Sequence, residues 1–328
     1  MIADEAKLNH HIFTTKLNEL PTRDGFGDGV VIAGEKDENV LVLCADLTES
    51  TRSNKFKDKF PKRFFETGVS EQNMAGISAG LAISGKIPFI ASYAVFNPGR
   101  NWEQIRVSIA YSRANVKIIG AHSGLSVGPD GATHQALEDI ALMRVLPNMV
   151  VLVPSDYEQA KKATIASANY KGPVYIRLTR EKTPVFRTQD SPFEIGKAQI
   201  LMTGNDVTII CAGPIIYEAL KASYELNMKY GIKCEVIDSC TIKPLDEKTM
   251  LDSVRKTGRV ITIEEHQISG GLGGVVSEML SEKYPVKIKR LGICDSFGES
   301  GTYEQLIKKY GLGIDHIIME VKKLISER

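Results

Sequence analysis

No apolar run in this chain approaches the roughly 18 residues that a membrane helix needs, and the opening MIADEAKLNHHIF lacks a charged-then-apolar leader pattern. Both absences lead to the expectation of a cytoplasmic protein with no membrane partner. Excess charge is missing too: 41 lysines and arginines face 40 aspartates and glutamates. No bulk field draws the chain to nucleic acid, so any anion must be bound locally. The five cysteines, Cys44, Cys211, Cys234, Cys240 and Cys294, form no CxxC pair and show no metal-ligand spacing with histidine. They read as reduced core thiols. A dinucleotide GxGxxG in the N-terminal glycine cluster, a phosphate-loop GK[ST] and an HxxxH zinc pair are also absent.

What the chain does hold is core-forming sequence. Its 328 residues are 43% hydrophobic, enough for about two domains at roughly 150 residues each. Short apolar runs, Val40 to Ala45, Ile87 to Ser92, Val116 to Ala121, Met149 to Pro154 and Pro173 to Leu178, read as buried strands of a parallel sheet. Amphipathic segments lie between them, with Asn101 and Ser155 as expected helix caps. The pattern lapses from Arg180 to Lys197 into a polar, proline-bearing linker. A second series follows, with strands at Val207 to Ala212, Cys234 to Ser239, Arg259 to His266 and Pro285 to Ile293. Its helices are expected at Ile215 to Tyr230, Glu247 to Lys256 and Gly273 to Lys283. The expected fold class is α/β, as two successive doubly wound sheets, with domains at 1–185 and 199–328 and a linker at 186–198.

Two glycine clusters invite a phosphate reading. RDGFGDGVVIAGEK, Arg23 to Lys36, is better explained as a close-packed helix. SGGLGG, Ser269 to Gly274, sits between a strand and a helix, where backbone amides can hold an anion or helix and strand can simply pack tightly. Two other stretches carry chemistry. FFETGVSEQNMAGISAGLAISG sets one acid, Glu71, at the mouth of a small, apolar, glycine-rich run. AHSGLSVGPDGATHQALED follows an expected strand and places His122, Asp130 and His134 on a glycine-rich loop, where the carboxyl ends of strands present ligands. Proton transfer and sugar hydroxyl binding suit that set better than zinc.

In order along the chain, ADLTES (Ala45 to Ser50), FFETGVSEQNMAGISAGLA (Phe64 to Ala82), GPDGATHQALED (Gly128 to Asp139) and LTRE (Leu178 to Glu181) resemble the pyrimidine-binding and C-terminal domains of a transketolase. The resemblance covers nearly the whole chain. The family's remaining domain, whose GDG motif binds the metal diphosphate of thiamine, has no counterpart here. The triplet Gly27 to Gly29 is not followed by the family's long asparagine-bearing segment. The chain is therefore similar to the C-terminal subunit of a split transketolase.

That resemblance implies thiamine diphosphate as cofactor, with Mg2+ or Ca2+ held by a separate N-terminal subunit, and a heterotetramer around a homodimeric core. It implies that Glu71 donates a hydrogen bond to the aminopyrimidine and so favours the imino tautomer that takes the thiazolium proton. A carboxyl among Gly68, Val69, Met74 and Ala75, cut off from water, would stay protonated for that task. By the same resemblance Tyr93 and Phe96 stack on the pyrimidine and Asp46 lies near the thiazolium. Asp130 reads a sugar hydroxyl, His134 stands nearest the reacting carbon, and Arg23, Ser50, His122 and Arg180 ring the sugar phosphate. The implied activity is transfer of a two-carbon ketol unit from a ketose phosphate to an aldose phosphate, in carbohydrate metabolism of the pentose phosphate kind. A deoxyxylulose phosphate synthase half, the beta subunit of a 2-oxo acid dehydrogenase and a non-catalytic scaffold on the same fold stay open as alternatives.

Overall fold

Runs such as VLVLC and IPFIASY carry apolar side chains on successive residues, and a strand can bury both sets only between two covering layers. The computed structural model, which describes residues 1–327, places them as parallel neighbours, Val40–Cys44 beside Ile87–Tyr93. The seven-stranded sheet to which they belong runs Thr241–Lys243, Val150–Leu152, Val174–Arg177, Lys117–Ala121, Ile87–Tyr93, Val40–Cys44, Phe64–Glu66. All pairs are parallel except at the Thr241–Lys243 edge. Alternate side chains go to opposite faces. Val40, Val42 and Phe89 pack with Phe26 and Val30 of the helix Thr22–Lys36, while Leu43 and Ile90 pack with Met74, Ile105 and Ile109.

The second sheet has five strands in the order Lys287–Ile293, Arg259–Gln267, Val207–Cys211, Cys234–Asp238, Gln199–Met202, the last antiparallel to its neighbour. The two sheets share a core. Ile210 and Ile237 of the second belong to the same buried cluster as Leu43 and Ile90 of the first. Two successive parallel-based sheets are thus present, and each expected strand is found at its place. Phe64–Glu66, Gln199–Met202 and Thr241–Lys243 are additional.

The glycine-rich Arg23–Lys36 stretch is a close-packed helix, as its composition indicated. A Cβ on Gly25 would overlap the Tyr157 carbonyl, and one on Gly29 would sit 2.8 Å from the Lys161 carbonyl, so this helix rides directly on Tyr157–Asn169.

Several local expectations need correction. Asp156, not Ser155, caps Tyr157–Asn169, accepting from the Gln159 amide at 2.9 Å. Its carboxylate also accepts the Phe186 and Arg187 amides at 3.1 and 2.8 Å, which a serine hydroxyl could not do at once. Asn101 makes no cap bond. Its amide turns instead to the Glu71 carbonyl at 3.2 Å and Asn97 Oδ1 at 3.0 Å. The helix that follows becomes a π-helix over Ile105–Tyr111, a form that often marks functional sites. The polar linker is anchored, because Phe186 and Arg187 are buried and Arg187 pairs with Asp238 of the second sheet. Cys294 is exposed, unlike the four buried cysteines, because it lies in the surface loop that follows the edge strand Lys287–Ile293. Among the described residues, no helix is long and apolar enough to cross a membrane.

Candidate active site

Parallel strands present their carboxyl ends on one edge of a sheet, and the loops leaving that edge meet. Asp46 follows Val40–Cys44, Tyr93 ends Ile87–Tyr93, His122 follows Lys117–Ala121, and Arg180 follows Val174–Arg177. Glu71 opens the helix Glu71–Ile83 just after the edge strand Phe64–Glu66. The sheet therefore gathers residues that lie more than a hundred positions apart in sequence.

Glu71 is 1% exposed. Ser92 Oγ donates to its Oε1 at 3.0 Å and Arg100 Nη1 to its Oε2 at 2.7 Å. This corrects the expectation of purely apolar neighbours around the carboxyl. Val69 points outward and nothing lies within 4 Å of a Cβ built on Gly68, while the Arg100 guanidinium lies against the carboxyl.

Beside Glu71 runs a row of rings. Tyr93 lies nearly parallel to Phe96 with centres 6.2 Å apart and is stacked on His122 at 3.8 Å. His134 stands edge-on to Tyr93 at 6.1 Å and to Phe96 at 5.9 Å. Its Nδ1 lies 2.9 Å from Thr133 Oγ1. The arginine that reaches Glu71 also covers Phe96, its guanidinium carbon 4.6 Å from the ring centre.

His122 is buried in left-handed backbone, at φ 53°. Arg23 Nη1 lies 3.1 Å from its Nε2 and donates to the Ser50 carbonyl at 2.9 Å. Because a guanidinium can only donate, Nε2 accepts and Nδ1 carries the proton. Among the described residues Nδ1 has no partner. Burial, then the charges of Arg23, Arg180 and Arg52, push the imidazole pKa down to about 2. His122 is thus a neutral hydrogen-bond donor and adds no charge to the ring of groups expected around a phosphate. Arg180 Nη1 donates to the Val127 carbonyl at 2.6 Å and lies 3.7 Å from Asp130.

The structure thus joins Glu71, Tyr93, Phe96, His134, His122, Arg23 and Ser50 through a chain of contacts, and pairs Asp130 with Arg180. Asp46 stands apart at an exposed, left-handed position, φ 59°, its amide donating to Glu66 Oε1 at 2.7 Å. Four participants were not foreseen. Glu66 gathers the Asp46 amide and the Thr48 hydroxyl. Ser92 and Arg100 bind Glu71, and Arg52, paired with Asp24, adds a cation near Arg23. Glu66 was visible in the motif that holds Glu71, five residues earlier. The other three needed the fold.

Residues 18–185 match the family model described as the transketolase pyrimidine binding domain, and residues 196–317 match the transketolase C-terminal domain. The chain belongs to the transketolase family. It is 47% identical over 308 residues to a protein of Methanocaldococcus jannaschii named as a transketolase C-terminal section, covering 93% of this chain and 95% of that one. It is 39% identical to a 6-deoxy-6-sulfo-D-fructose transketolase subunit of a Clostridium species, covering 96% and 98%. A solved split-gene transketolase, described as an inactive beta4 tetramer, superposes with a TM-score of 0.85 at 41% identity over 94% of this chain and 99% of that one. Against mouse transketolase the match covers 94% of this chain and 50% of the relative.

Membership of the transketolase family implies dependence on thiamine diphosphate. The residues fit its pyrimidine. A flat group can reach the Glu71 carboxyl and lie on Phe96 together, since the Arg100 guanidinium does both. The SGGLGG turn offers no such site, because Glu264 accepts the Leu272 and Gly273 amides at 2.7 and 2.8 Å and fills that helix terminus. Among the described residues no group of three or more His, Cys, Asp or Glu is placed to hold a metal.

Proposed function

We propose that this chain is one half of a thiamine-dependent transketolase, moving a two-carbon ketol unit between sugar phosphates together with a separate N-terminal subunit that holds the diphosphate through Mg2+ or Ca2+. The observation that carries the reading is a buried carboxyl, Glu71, linked through the Arg100 guanidinium to the Phe96 ring, with His134 set edge-on to that ring. Thiamine diphosphate, when bound, supplies the electron sink that lets a carbon–carbon bond beside a carbonyl break. Glu71 holds the pyrimidine ring nitrogen, Phe96 and Tyr93 pack on the ring, and Asp46 faces the thiazolium side. His134 moves a proton at the substrate oxygen nearest the reacting carbon. Asp130 accepts from a sugar hydroxyl, the His122 Nδ1–H donates to a phosphate oxygen, and Arg23, Ser50 and Arg180 complete the anion end.

Two relatives have names that carry an anionic group on the sugar. One is the sulfo-fructose transketolase subunit, and the other is an apulose-4-phosphate transketolase component of Phocaeicola vulgatus, 39% identical to this chain. The neighbouring cations Arg23, Arg52 and Arg180 suit such a terminus. Assembly as a heterotetramer in the cytoplasm, around a dimer of this chain, completes the proposal.

The test mixes this chain with the subunit carrying the diphosphate-binding domain and follows exchange between a ketose phosphate and an aldose phosphate. Exchange is expected from the mixture and not from this chain alone. Glu71→Gln should lower it by at least ~10²-fold, the lower end for an acid–base group. Full turnover by the single chain, or an undiminished mutant, would overturn the reading.

A further inference from the structure

We infer that Arg100 is a built-in competitor for the thiamine pyrimidine: it occupies both the Glu71 carboxyl and the Phe96 face, and the cofactor seats only when this side chain swings away. The inference rests on the functional reading above but concerns a residue that the reading does not use.

The contacts are specific. Arg100 Nη1 bonds Glu71 Oε2 at 2.7 Å, and its guanidinium carbon stands 4.6 Å from the Phe96 ring centre. A guanidinium is planar and delocalised and carries N–H donors along its edge. Its flatness is what a pyrimidine ring shares with it: either can lie on an aromatic face with one edge against a carboxyl, the guanidinium as donor and the ring nitrogen as acceptor. A ring seated on Phe96 with its edge at Glu71 would take the space that the guanidinium fills over Phe96 and at Oε2, while Ser92 Oγ bonds Oε1.

The segment that carries Arg100 is built to let the side chain move without unpacking its surroundings. Asn97 is fixed by its amide to the Ile90 carbonyl at 3.2 Å and the Ile119 carbonyl at 3.0 Å, and Asn101 is fixed to the Glu71 carbonyl at 3.2 Å. Between these two buried anchors the chain rises to the surface at Gly99 and Arg100. The Arg100 side chain is 44% exposed while Glu71 beneath it is 1% exposed. Rotation of a long, half-exposed side chain is enough to uncover the carboxyl. While it stays in place, it supplies the counter-charge that a buried carboxylate requires.

A competitor lowers apparent affinity by the fraction of molecules in which it is out of the way. In the complex with the diphosphate-domain subunit, Arg100→Ala should therefore bind thiamine diphosphate more tightly, by about tenfold, measured by titration calorimetry. Arg100→Lys keeps the charge but loses the flat fork, and should fall between wild type and Arg100→Ala. Inorganic diphosphate, which has no pyrimidine, should bind all three alike. Trp102, the single tryptophan of this chain, lies two residues further on and should change its emission when Arg100 is displaced in the wild type. A gain in affinity is not an effect that a poorly folded variant can mimic. Equal or weaker thiamine diphosphate binding by Arg100→Ala would overturn the inference and leave the functional reading intact, as would the same gain for inorganic diphosphate. No binding to wild type or variants would overturn the thiamine reading, and this inference with it.

Discussion

Removing the Arg180 side chain takes one guanidinium from the proposed anion end of the site and leaves Asp130 without the cation that lies 3.7 Å away. A substrate phosphate held there in ground and transition states alike would lose a charge-assisted partner, typically about 2 to 5 kcal/mol, with the lower part of that range fitting a side chain that is 30% exposed. Arg180→Ala should therefore raise KM for phosphorylated sugars and change kcat much less, with little effect on the same sugars lacking phosphate. Steady-state rates on a sugar phosphate and its free sugar, measured with the partner subunit and saturating cofactor, check this. An equal loss on both would assign Arg180 to the fold of the loop it holds through the Val127 carbonyl. Residues of this kind were legible in the sequence to different degrees. Glu71 stood out as the acid at the mouth of an apolar run, and His122 and His134 as paired histidines on one loop. Arg100 did not, because nothing in NPGRNW says that the turn brings its guanidinium back over a carboxyl 29 positions earlier. The neutrality of His122 was equally hidden, since it comes from burial and from arginines on three other segments.

At the scale of elements, the helix Glu71–Ile83 has two faces with different work. Met74, Ala75, Ser78 and Ala79 are buried against the sheet. On the other side Gly76 and Gly80 have open space around them, and Ile77 and Ile83 are 43% and 75% exposed. Glycine inside an exposed helix costs about 1 kcal/mol relative to alanine, so two of them on an outward face suit a close partner better than solvent. Gly76→Ala should thus stabilise the isolated chain by ~0.5–1 kcal/mol in denaturant melts and weaken association of the assembled enzyme in sedimentation. Unchanged association would remove this helix from the proposed homodimer contact. The long strands were readable because a doubly covered strand is a near-continuous apolar run. Phe64–Glu66 was not, being three residues long. The π-helix over Ile105–Tyr111 has an amphipathic pattern that an ordinary helix would share, and its five-residue bonding leaves no separate mark in composition. Thr241–Lys243 was missed because its pairing partner lies in the other half of the chain.

For the whole molecule, two buried histidines link stability to pH. His122 is held at about 2, chiefly by burial, and His266 at about 4 for the same reason, against an ordinary value of 6.5. Between those folded values and 6.5 the unfolded chain binds protons that the native chain does not, so stability rises with pH and is lost as pH falls below about 6.5. The histidines should therefore lower the melting temperature between pH 7 and pH 5, against the buried Glu264, whose carboxyl burial raises to about 7 and which favours the folded state as pH falls through that range. His122→Asn, which tolerates the left-handed backbone, should flatten that slope, and an identical slope in the variant would exclude His122 as a source. The edge strand Thr241–Lys243 has a further consequence, for where the polypeptide can be divided. It belongs by sequence to the second half yet closes the first sheet beside Val150–Leu152. A clone that stopped at the junction would strip that sheet of its outermost strand and bare a row of open amides and carbonyls, a template for strand-by-strand aggregation. Each half made alone would tend to precipitate, while the two made together would reclaim one another through three residues of backbone.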